Sequence, residues 1–182
     1  MVIAEAAAAF VAWFGASVIV LADGRRGVAL GLALTAAGLA FLAWPSAGVG
    51  AAIVIAAGGL LGAVVRNRSG PAGWVIMPAG STPRLILCVA AALVSLWIAA
   101  SVTSGDGAAL RFAVLCVVVQ MGGRLFTTRD PSITLAAVAA LALAVADTVA
   151  IGPNSSGVAP FIVAALVAAG VMFVRLPASN AA

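Results

Sequence analysis

Lysine, histidine and tyrosine are absent from the 182 residues, and charged side chains make up only 8% of them. Each absence removes a class of chemistry. Without histidine there is no imidazole for zinc or haem, no HExxH metalloprotease site, and no side chain that titrates near neutral pH in its ordinary state. Without lysine there is no amine for a Schiff base. The two cysteines, Cys88 and Cys116, fall in separate apolar runs and form neither a disulfide framework nor a CxxC pair. The scarcity of charge is equally informative. A soluble domain carries about a quarter charged residues, whereas lipid-facing helices require such depletion.

What is present is mostly apolar: 65% hydrophobic residues and a mean hydropathy of +1.27. Divided into runs of about 20 residues, the length that crosses a bilayer, the chain yields seven expected spans, near 2–22, 27–44, 49–65, 84–102, 108–126, 132–151 and 157–175. The expected fold is all-α, a polytopic helical membrane protein whose residues 1–182 form one transmembrane bundle. The start, Met1 to Glu5, lacks the basic n-region of a signal peptide, so the first run is read as a retained helix. Pro45–Gly48 reads as a tight uncharged turn. Thr82-Pro83 and Asp130-Pro131 read as N-cap plus first-turn proline, and Gly152–Gly157 as a breaker.

The nine cationic residues are all arginines, and they alternate. Arg25, Arg26, Arg66, Arg68, Arg84, Arg124, Arg129 and Arg175 follow odd-numbered spans, and only Arg111 falls on the other side. By the positive-inside bias the N-terminus is expected outside and the C-terminus in the cytoplasm. This explains the formal charge of +4 and the pI near 11.1 without invoking nucleic acid, because no basic patch is formed. The three outer hairpins each end at an arginine, which fits a repeated hairpin, although any alternating topology produces that pattern. Arginine without lysine, beside abundant alanine and glycine, suggests a GC-rich bacterial genome and hence a bacterial inner-membrane location.

An ionisable residue inside a bilayer is expensive and marks a candidate site. Glu5, Arg111 and Asp147 qualify, each about four residues inside the outer face. An Arg111–Asp147 ion pair is expected between sequential antiparallel spans, with shallow structural pairing outweighing a cation- or proton-binding role. Thr35, Ser95 and Gln120 are the other mid-membrane polar groups. Phe112, Cys116, Gln120 and Arg124 recur every four residues, so Gln120 should face the bundle as interhelical glue. Small-residue spacings such as Gly27-xxx-Gly31-xxx-Thr35 and Gly58-xxx-Gly62 permit close helix approach, though so much alanine and glycine makes them weakly specific.

The long connection 66–84 holds an apolar segment, Gly73-Trp74-Val75-Ile76-Met77-Pro78, too short and too broken to span. Trp74 and Met77 are expected at the cytoplasmic interface, against lipid or a partner. No residue is assigned a catalytic, cofactor-binding or metal-binding role, because Ser95 and Asp147 lack the helpers that serine or aspartyl chemistry needs. The expected function is a non-catalytic membrane subunit or scaffold, with the lipid bilayer and other integral membrane proteins, or further copies of itself, as partners. The alternative is a small transporter or channel, which more often shows broken helices and midplane polar sites.

Overall fold

The computed structural model describes residues 2–68, 73–102, 107–152, 157–171 and 173–174. The expected closing arginine Arg175, the breaker positions 153–156 and positions 69–72 of the long connection lie outside the described residues. The chain is all-helical: α1 (Val2–Leu21), α2 (Arg25–Arg68), α3 (Thr82–Val102), α4 (Ala108–Thr127), α5 (Pro131–Val149) and α6 (Ala159–Val171). Five of these, α1 to α5, are long and apolar enough to cross a membrane.

Six helices thus replace the seven expected. The second and third expected spans are the two arms of α2, helices that meet at Gly48, whose φ of 86° and ψ of 169° are not helical. Of the expected Pro45–Gly48 turn only the last residue leaves the helix. Helical hydrogen bonding continues past the proline and fails at the one residue that can take such angles without a Cβ penalty. The chain reverses at this break: a Cβ on Gly59 would collide with Ala36, which lies on the other side of Gly48 at nearly the same distance along the chain. α6 also falls short of the expectation, spanning 13 residues.

Small residues set the packing. A Cβ placed on Gly31 would lie 2.7 Å from the Gly15 carbonyl oxygen, and one on Gly38 would lie 2.6 Å from the Ala12 nitrogen. α1 and the first arm of α2 therefore meet backbone to backbone and antiparallel, at the spacing the Gly27–Thr35 pattern permits. Thr35 turns its hydroxyl back to the Gly31 carbonyl at 2.8 Å, and the same hydroxyl lies against Gly15 of α1, where a Cβ would stand 2.7 Å from it. Ala136, Ala140 and Ala144 form a fully buried stripe on α5. α3 is the peripheral helix, with Ile86, Leu93 and Trp97 more than 60% exposed, an apolar face suited to lipid.

Two capping expectations fare differently. Asp130 caps α5, its carboxylate accepting from the Ser132 amide at 2.8 Å ahead of Pro131. At α3 the cap moves back by one residue: Thr82 is already helical, and the Ser81 carbonyl accepts from the Leu85 amide.

Candidate functional site

The described arginines other than Arg111 gather at one end of the bundle. Asp23, just after α1, accepts from Arg84 at the start of α3 at 2.9 Å and from Arg124 at the end of α4 at 2.5 Å. Arg124 is fully buried and also donates to the Ala22 carbonyl at 3.2 Å. Two helix ends and the α1–α2 turn are therefore tied through one carboxylate. A parallel chain joins α2 to α5: Arg66, 1% exposed, donates to the Ser132 hydroxyl at 2.9 Å, and that hydroxyl bonds Asp130 at 2.5 Å. Both acidic residues of this end are thus engaged. Neither set was expected from the sequence. The available signal was that Asp23 and Asp130 are the only acids among eight arginines.

The segment Gly73–Met77 packs onto the same end. Val75 O accepts from the amides of Asp23 and Gly24, Gly73 O accepts from the Arg26 amide, and the Met77 amide donates to Leu21 O, all between 2.9 and 3.3 Å. Ala22 and Ile76 form an antiparallel bridge. A side chain at position 24 is excluded, since its Cβ would stand 2.5 Å from Gly73 O. While the backbone is held, the side chains are not: Trp74, Val75, Ile76 and Met77 are 47–51% exposed. Met77 adopts a φ of 53°, the sole non-glycine residue in the left-handed region among those described.

A polar cluster crosses the interior between α1, α3 and α4. Gln120 is fully buried, its Oε1 lying 3.4 Å from the Ser17 hydroxyl, which also reaches the Trp13 carbonyl at 2.9 Å. Trp13 Nε1 donates to the Cys88 carbonyl at 3.2 Å. Cys116, Gln120 and Arg124 all have zero exposure, so the face they share points into the bundle.

At the opposite end the expected ion pair does not form. Asp147 is fully buried, and neither carboxyl oxygen has a partner among the described residues. The reason lies in helix phase. Asp147 continues the buried stripe of Ala136, Ala140 and Leu143 on α5. Arg111 falls beside, not on, the buried stripe of α4 formed by Leu110, Ala113, Val114 and Val117, and is only half-buried. At about 100° per residue, one step from Leu110 carries it off that face. Glu5 does not join them either. It lines a cavity of about 310 Å³ with Ala4, Phe41, Trp44 and Pro45, against α2.

The arrangement therefore comprises a charged clasp that closes one end, a pinned apolar segment displayed on it, and one unpartnered acid buried near the other end. No protein-family model matches this chain, and no curated protein or solved structure gives a significant match to it.

Proposed function

We propose that the protein is a non-catalytic integral membrane subunit of a bacterial inner membrane, with its arginine end in the cytoplasm, and that Trp74–Met77 docks on another membrane protein. One observation carries this reading. The backbone of the segment is fixed by hydrogen bonds to the α1–α2 turn, yet four consecutive apolar side chains remain about half exposed. An apolar surface whose ordering cost is met before binding suits a docking epitope. The left-handed backbone at Met77 adds to this, because such strain in a bulky residue tends to persist where function requires it. Orientation rests on the arginine asymmetry.

The test is purification of the full chain in mild detergent from its native membrane. A stoichiometric membrane-protein partner that is retained by the wild type and lost on Met77→Asn, without loss of thermal stability, supports the reading. A partner indifferent to the substitution, or a wild-type chain that purifies alone, overturns it.

A second reading, a small transporter for a cation or proton, is favoured by Asp147. Its carboxyl lies about 22 Å along α5 from the Arg66–Ser132 contact at 1.5 Å per residue, buried and without a partner. Intramembrane acids of this kind mark ion pathways. Flux into liposomes holding the purified chain alone, abolished by Asp147→Asn or a Gln120 substitution, would replace the subunit reading.

A further inference from the structure

The two arms of α2 leave a groove between them at the arginine end. It has a volume of about 450 Å³, and Arg26, Ala33, Leu60, Val64, Asn67 and Trp74 are among its walls. Its chemistry is graded. The deeper walls are aliphatic, and the polar groups stand only at the mouth: Arg26 in the first turn of α2, Asn67 in the last, and the Trp74 indole carried there by the pinned segment. That order, apolar to aromatic to cationic over one helix end, is the order of groups along a phospholipid from acyl chain to phosphate.

Charge decides which phospholipid. Asp23 is held by Arg84 and Arg124, and Asp130 is occupied by Ser132. Arg26 is exposed, and among the described residues its guanidinium has neither an ion pair nor a hydrogen bond, while its backbone amide is anchored to Gly73 O. The mouth thus offers an uncompensated cation on an anchored backbone, with no free carboxylate beside it. A zwitterionic headgroup brings its own cation and gains little there. An anionic headgroup gains a charge-assisted contact.

We propose that the groove between the arms of α2 binds one anionic phospholipid, its phosphate on Arg26 and Asn67 and an acyl chain along Ala33, Leu60 and Val64. The site requires no protein partner and stands whether or not the segment docks one.

The test uses the purified full chain in mild detergent, titrated with phosphatidylglycerol or with phosphatidylcholine of the same acyl composition and read by native mass spectrometry. One phosphatidylglycerol should be retained per chain, on the order of tenfold more tightly than phosphatidylcholine, which corresponds to about 1.4 kcal/mol. Arg26→Gln should erase that preference, and Leu60→Trp, which fills the groove from an exposed position, should weaken both lipids at unchanged melting temperature. Arg129→Gln, at the same end but outside the groove, should change neither. Equal retention of the two lipids, or wild-type retention by Arg26→Gln, overturns the proposal. So does displacement by millimolar glycerol phosphate, which would assign the site to a soluble anion.

Discussion

Asp23 and Arg124 stand 101 positions apart in the chain and 2.5 Å apart in the fold, and the guanidinium of that pair is fully buried. Because Asp23 also accepts from Arg84, one carboxylate offsets two cations where α1, α3 and α4 converge. A buried pair is not by itself a strong source of stability, but removing one member leaves an uncompensated charge.

Asp23→Asn should therefore lower the detergent melting temperature sharply, with a cost of about 3 kcal/mol, the low end for a broken buried pair because the carboxylate itself is partly exposed. Arg124→Leu should be milder, and combining the two should cost less than the sum of the single changes. A double-mutant cycle gives the answer directly. Additive effects would mean that Arg124 is held by the Ala22 carbonyl rather than by charge.

Gly24→Ala should free the segment without unfolding the bundle. The added Cβ would lie 2.5 Å from Gly73 O and 2.8 Å from the Val75 nitrogen, both backbone atoms that cannot move aside alone. The amides of Asp23, Gly24, Arg26 and Met77 then lose their acceptors, and hydrogen exchange at those four positions should accelerate together. The loss of stability should stay near about 1–3 kcal/mol, the usual range for a single substitution. Unchanged exchange would show that the pairing is not held by this close approach.

Much of this architecture is local, and that part is legible in the sequence. The Asp130-Pro131 cap, the apolar helices and the inward face of Cys116, Gln120 and Arg124 all follow from periodicity and short-range hydrogen bonding. The Gly48 break was harder to place, because Pro45 carries the louder signal while only a torsion angle reveals which residue gives way. The Asp23 clasp and the docking of Gly73–Met77 onto the α1–α2 turn join positions some 50 to 100 residues apart, and no local pattern encodes such pairings. The Arg111–Asp147 pair illustrates the converse. Equal depth was readable, but which face each helix turns inward depends on packing with the rest of the bundle.

Asp147 without a partner leads to a distinct expectation from Asp147 in an ion pair. Asp147→Leu replaces an unsatisfied buried group with an apolar one of similar size and should raise the melting temperature, with a stability gain of about 1–3 kcal/mol if the whole desolvation penalty is relieved. Arg111→Gln should be near neutral, and its combination with Asp147→Asn should be additive within about 0.5 kcal/mol. Coupling larger than that in melting experiments would restore the pair.

Met77 is strained on its own account, which separates its structural role from its proposed docking role. A left-handed backbone costs a non-glycine residue about 1–2 kcal/mol, and asparagine tolerates it better. Met77→Asn should keep or raise the melting temperature while removing the exposed thioether. Met77→Ala removes the same surface without relieving the backbone and should show no thermal gain. If both variants release a co-purifying partner, the side chain is what the partner reads. If only the asparagine variant does, altered backbone geometry is the cause.

Sidedness is the remaining consequence of the arginine cluster. Arg25, Arg26, Arg66, Arg68, Arg84, Arg124 and Arg129 share one end of the bundle, while Glu5 and Asp147 belong to the other. Retention of arginine on the cytoplasmic side should place Trp74 inside and Ile3 outside. Both are accessible probes, at 51% and 87% exposure. In a chain carrying Cys88→Ala and Cys116→Ala, a membrane-impermeant maleimide added to intact cells should label Ile3→Cys and spare Trp74→Cys, and inverted vesicles should reverse the result. Labelling of both positions from one side would mean that α1 does not carry its two ends to opposite faces of the membrane. The fully reversed pattern would leave the fold intact and place the pinned segment outside, where a cytoplasmic partner is ruled out.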